Sequence, residues 1–276
     1  MVVAEHEGLV AELWYATAPD LEDPLLLEGL RAVSPGTQAQ EASLVVPYDG
    51  GETPARPISN GNGSGNGTTA PPLLTLVLPG SSLDEPGKAL PDTSQTWDWP
   101  EADTTLEPAR ASLLVVEMSG DSYAARDRVA ALVGVVRALS VATQPLAVSW
   151  PTSQRVTDPA EAGADGLGGL LNVRFFTVAD DEDERVMDTR GLASFGLPDV
   201  QVHFRDLDPG RLAGLLYATG AYLLEEGDVV EDGNTISGLE PDDQWACHHE
   251  DALVAPPRRV LDVDPGDPYA AGRRAR

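Results

Sequence analysis

Short apolar runs separated by glycine- and proline-rich segments dominate this chain, and two longer stretches carry helical periodicity. Residues 9–16, "LVAELWYA", have the length and apolar content of a strand. A helix start follows, with Asp23 as cap and Pro24 at the first helical position; Leu26, Leu27, Leu30 and Val33 then share one face until Ser34-Pro35-Gly36 ends the helix. Runs at 43–48, 73–79, 112–118 and 145–150 read as further strands. Between the last two, Val129, Leu132, Val133, Val136 and Leu139 recur at helical spacing over 121–141. The order strand, helix, three strands, helix, strand predicts an α+β region at 1–155 of the ferredoxin-like sandwich type, a mostly antiparallel sheet with helices packed on one face and one extra strand.

Residues 52–72 are rich in Gly, Asn and Pro with almost nothing to bury, and are read as a disordered loop. The proline- and acid-rich stretch after the 73–79 strand, up to Arg110, is read as a second long loop, whose Trp97 and Trp99 are expected to fold back over the core. Residues 156–169, "VTDPAEAGADGLGG", are expected as a linker or long loop. A second α+β region is expected at 170–264, opening with a strand over 170–178 and continuing through the acidic run 179–185, read as a solvated turn. In 199–204, Val200, Val202 and Phe204 alternate against Gln201 and His203, which predicts a strand with one apolar face. Asp208 and Pro209 then start a helix striped by Leu212, Leu215, Leu216, Thr219, Tyr222 and Leu223 and stopped by Gly227. Asp232-Gly233 between strand-like triplets predicts a tight hairpin, 258–264 a last strand, and 265–276 a disordered tail.

Charge changes the picture more than composition does. The 276 residues carry 45 acidic against 18 basic side chains, a formal charge of −27. Such a field repels phosphate backbones and anionic headgroups, so nucleic acid and membranes are poor partners, and a protein partner is expected. The carboxylate excess also fits a salt-rich, halophilic cytoplasm. Cys247 is the sole cysteine, so no intramolecular disulfide can form, which fits a reducing compartment and a cytoplasmic reading. The amino terminus shows no signal-peptide pattern.

Candidate chemistry is sparse. In "TRGLASFGLPDVQVHF", Gly191 and Gly196 can take positive φ and Pro198 fixes φ at the strand entry, while Leu192, Phe195 and Leu197 anchor the loop on the core. A structural connector is favoured over an active-site loop, since Ser194 has no evident base. "CHHE" at 247–250 is the one cluster of metal-ligand side chains, yet on a strand Cys247 and His249 take one face and His248 and Glu250 the other. His203, Asp206 or His6 would have to join His248 or His249 to complete a site. Serines such as Ser81, Ser82 and Ser119 lack a nucleophile elbow, and "AGADGLGG" lacks the Gly-Lys-Ser/Thr ending of a phosphate loop.

The carboxyl-terminal stretches "MDTRGLASFGLPDVQVHF", "YLLEEGDVVEDGNTISG", "DQWAC" and "PRRVLDV", in that order over about 187–264, resemble the family called domain of unknown function 4261. The resemblance rests on Thr189, Gly191, Leu192, Phe195, Gly196, Leu197, Pro198, Asp232 and Gly233, with Trp245 further on. Arg190 departs from the small or apolar residue expected there and marks an expected exposed point. The resemblance implies a domain type and a prokaryotic setting, with no catalytic residue or cofactor attached. Thr189, Gly191, Phe195, Gly196, Pro198 and Gly233 are therefore taken as structural, and Asp199, His203, Asp232, Trp245 and Arg258 as binding candidates. The favoured function is a non-catalytic protein-interaction module. Alternatives are a metal-dependent hydrolase or metal-binding protein using His248 or His249 with His203, and an immunity-like module masking a basic target.

Overall fold

The computed structural model describes residues 8–48, 72–119, 123–164, 166–178 and 181–272. The glycine-rich loop (apart from Pro72), His6 and the tail arginines lie outside them. The chain divides into two compact units, Glu7–Leu170 and Leu171–Arg276. Both are mixed α/β, with four α-helices in all among the described residues and two mostly antiparallel sheets.

The first unit runs β1 (Val10–Tyr15), α1 (Pro24–Val33), β2 (Gln38–Gln40), β3 (Ser43–Pro47), β4 (Leu74–Ser82), α2 (Ala102–Leu106), β5 (Ala111–Glu117), α3 (Ala125–Thr143), β6 (Ala147–Trp150) and β7 (Arg155–Thr157). Its seven strands lie in the order β2-β3-β4-β5-β1-β6-β7, all pairings antiparallel. The expected cap forms at α1, where the Asp23 carboxylate accepts the Leu25 N–H at 2.8 Å. Helix α3 buries the predicted stripe Val129, Leu132, Val133, Val136 and Leu139 and packs on β1, β4 and β5. Tyr15 bonds Thr143 of α3, whereas its neighbour Trp14 clusters with Leu106 of α2 and Val156 of β7. Adjacent strand residues point to opposite faces. The short α2 therefore covers the face opposite α3, and the helices of this unit are not confined to one face. The long loop thus contains a helix the sequence did not announce, and of its two tryptophans Trp99 packs on this cluster while Trp97 is exposed.

The 156–169 segment carries β7, and its turns press onto the indole of Trp150. A Cβ on Gly168 or Gly169, both at positive φ, would meet that ring. Close backbone approach to a buried aromatic explains the glycines better than a phosphate loop does.

The second unit runs β8 (Asn172–Val178), β9 (Asp181–Arg190), a 3-10 turn (Leu192–Phe195), β10 (Asp199–Phe204), α4 (Pro209–Glu226), β11 (Thr235–Ser237), β12 (Gln244–Asp251) and β13 (Arg259–Asp264). The sheet order is β11-β12-β13-β10-β9-β8, with β10 and β13 parallel and the other pairs antiparallel. Helix α4 starts on the Asp208 carboxylate, which accepts the Arg211 N–H, and ends at Gly227. It packs on β8, β9 and β10 through buried Leu212, Leu216 and Leu223.

Three local readings change. The acidic run enters strand β9 instead of forming only a turn, because β8 supplies its ladder partner. Asp232-Gly233 is a turn without flanking hairpin strands: β11 pairs with β12, and the Gly233 N–H donates to the Cys247 carbonyl. The tail is tied down as far as the described residues reach, with Ala270 bridged to Phe204 and Ala271 buried.

Candidate functional site

Strand pairing in the second unit assembles polar side chains that are far apart in sequence. Arg174 lies opposite Asp188, Asp188 opposite Gln201, Gln201 beside Asp262, and Asp262 opposite His248. Directly paired residues share a face. One row thus crosses five strands, and all of it but His248 is buried. Asp199 and Arg190 extend the same face by one row, since each sits two residues along its strand from a member. Val200, Val202 and Phe204 point to the other face, which is the one an amphipathic helix can cover.

A polar face in a sheet interior must be satisfied by partners. The segment 252–258 provides them. The Leu253 N–H donates to Oε1 of Gln201 at 2.8 Å, and Arg174 donates to the Ala255 carbonyl at 3.1 Å. Arg174 also holds Asp188 with a two-pronged contact, Nε at 2.9 Å and Nη2 at 2.6 Å. Arg258 is the hub. Its Nε donates to Asp199 at 2.8 Å, Nη2 to Asp188 and the Thr189 carbonyl, and Nη1 to the carbonyls of Val254 and Pro256. Burial pushes the Asp199 carboxyl up, against the pull of the Arg258 guanidinium and the Leu192 amide. Burial also works against the charge on Arg258, but Asp188 and Asp199 together hold its guanidinium above the usual value.

The "TRGLASFGLPD" segment feeds this network. Gly191 (φ 131°) and Gly196 (φ 72°) bracket the 3-10 turn, which lets the Leu192 N–H reach Oδ1 of Asp199 at 3.1 Å. Thr189 donates to Asp199 at 3.3 Å and accepts the Val200 N–H at 2.8 Å. Pro198 is buried and Phe195 half-buried. The motif is thus the buried rim of a charge network, and Ser194 within it is buried.

Residues 188–264 match the family model of a domain of unknown function, DUF4261. The match begins at Asp188 and ends at Asp264, so it takes in every member of the network except Arg174. No curated protein and no solved structure matches the chain.

Of the sequence-derived binding candidates, Asp199 and Arg258 meet directly in the DUF4261 segment. His203 stands apart from them at Glu184, with Nε2 3.1 Å from Oε2, while Oε1 of the same carboxylate accepts from Arg205 at 2.6 Å. Asp232, exposed, takes the backbone N–H and the Nδ1 of His249 at 2.7 and 2.8 Å, and Asp228 takes Nε2 at 3.0 Å. Gly233 is part of that exposed turn. Trp245 is a buried packing residue on β12 against Gly238, and His248 is exposed. Cys247 is fully buried, and burial pushes its thiol up to about 11. Among the described residues, no group of three or more His, Cys, Asp or Glu is arranged to hold a metal ion. Arg190, expected exposed, is half-buried.

Arg174, Asp188, Gln201 and Asp262 escaped the sequence reading. Their signal was a polar residue at every second position in "NVRFF", "MDTR", "DVQVHF" and "VLDVD", which reads equally well as a solvent face.

The first unit offers a different surface. Gly29 of α1 closely approaches Ala142 of α3, and beside this contact lies a groove of about 710 Å³ lined by Leu25, Val33, Gly134, Val141 and Glu28. Leu25 is 71%, Val33 51% and Val141 82% exposed. Val33, on the predicted stripe, is the last residue of α1 and is half exposed. No helix among the described residues is long and apolar enough to cross a membrane.

Proposed function

We propose that this chain is a non-catalytic, cytoplasmic protein-interaction module whose apolar α1/α3 groove receives an amphipathic helix of a basic partner. The observation that carries the reading is the groove itself: three aliphatic side chains project from two neighbouring helices of a protein with charge −27. The groove lining carries one acid, Glu28, and one base, Arg137, while exposed Glu22 and Asp23 just before α1 and the net charge of −27 favour a partner whose apolar stripe is flanked by Lys or Arg. Masking a basic target, as an immunity-like module does, is the same physical act. Support for a non-catalytic role comes from the second unit, where Asp188 and Asp199 are held by Arg174 and Arg258, and His249 by Asp232 and Asp228. Support for a ferredoxin-like reading of the first unit comes from the strand order β4-β5-β1-β6, which places β1 and β5, the first strands of two split strand-helix-strand units, side by side at the centre.

A synthetic Leu/Lys amphipathic helix, titrated by fluorescence anisotropy, tests the proposal. Saturable binding is expected, weakened by salt and weakened again by V141D. Electrostatics alone would make V141D bind the cationic peptide more tightly. Equal or tighter binding by that variant overturns the reading, as does the absence of saturation.

A further inference from the structure

Arg190 is the one guanidinium of the polar face that the network leaves over. The carboxylates are already taken: Asp188 by Arg174 and Arg258, Asp199 by Arg258, Leu192 and Thr189. All five N–H groups of Arg258 have acceptors. Nε of Arg190 is buried and has no hydrogen-bond partner among the described residues. Burial, and next the charges of Arg174 and Arg258, hold its guanidinium below the usual value, while Asp199 and Asp188 only partly offset them. The charges that act on Arg190 are two guanidiniums, Arg174 and Arg258, and the two carboxylates Asp199 and Asp188 that those guanidiniums already hold, while Asp262 lies farther along the row beside Gln201. An unpaired, half-buried cation is costly unless something pairs with it.

We propose that Arg190 anchors an oxyanion-binding site in the second unit, taking a carboxylate or phosphate oxygen pair through its forked guanidinium. The fork matches such groups bidentately, and the side chain is carried by a ladder-paired strand, opposite Asn172. Arg174 and Arg258 contribute field but not contacts: Arg258 has no donor left, and Arg174 is bound to Asp188 and stacked over Phe176. The neighbouring carboxylates are neutralised by these two arginines, so they do not repel an entering anion. This site and the α1/α3 groove belong to different units, and either can fail without the other.

The test is thermal unfolding of the full chain in inorganic phosphate and, separately, in acetate, with ionic strength held constant by chloride. A saturable rise in Tm is expected with at least one anion, and the anion that produces it identifies the group recognised. R190Q should need about tenfold more anion for the same rise, the worth of a charged hydrogen bond. R190K keeps the charge without the fork and should fall between. In chloride alone R190Q should be at least as stable as the parent, since the costly cation is gone, whereas a purely structural Arg190 would make it less stable. A parent protein unresponsive to both anions overturns the proposal, and so does an R190Q protein that responds like the parent.

Discussion

Arg258 Nε donates to Oδ2 of Asp199 at 2.8 Å across 59 positions of sequence, and the same guanidinium reaches Asp188. One side chain therefore bridges two buried carboxylates that lie on neighbouring strands, and Arg174 supplies the second positive charge at Asp188.

That arrangement makes Arg258→Ala one of the most damaging substitutions in the second unit. Two buried carboxylates would lose their common partner, and breaking such a pair typically costs about 3–5 kcal/mol. Urea unfolding followed by circular dichroism measures the loss. The double variant R258M/D199N removes the Arg258–Asp199 pair together while leaving Arg174 its carboxylate on Asp188, and should recover part of it. A single variant within about 1 kcal/mol of the parent would contradict a hub role.

Asp232 predicts part of the acid sensitivity. The His249 backbone amide and then its ring hold this carboxyl below its ordinary 3.8. The folded state thus binds its proton less readily than the unfolded chain does. Its contribution to stability is complete above the ordinary value and disappears as pH falls through the lower folded one. D232N should flatten the decline of the urea midpoint between about pH 5 and 2. Parallel declines in parent and variant would show that the His249 contacts carry no linkage.

Cys247 predicts a thiol inert in the folded protein. It is fully buried and its thiol is raised to about 11, so little thiolate exists at pH 8. Alkylation by iodoacetamide should be at least about a hundredfold slower in native protein than in denaturant. Comparable rates would mean that β12 opens readily.

Local pattern was enough for the elements whose signals are local. The stripe of α3, the Asp23 and Asp208 caps, the Gly227 stop and the alternation of 199–204 all follow from side chains a few residues apart, and each forms as expected. The positive-φ glycines around "LASF" were legible for the same reason. Alternation also fixed which residues of β10 share a face, so Asp199, Gln201 and His203 could be grouped from the sequence.

What covers that face was not legible. Asp188, Gln201 and Asp262 are polar residues at every second position, the pattern of a solvated surface, yet all three are buried, with the segment 252–258 reaching over Gln201 and Asp188. In the same way the stripe of α1 put Val33 on the face of Leu26 and Leu30, and only the packing of α3 beside it left Val33 in a groove with Val141. Periodicity is a property of the backbone and is written in neighbouring residues. Burial depends on which distant segment arrives, and so only the tertiary structure decided that arginines and carboxylates from four separate stretches would meet.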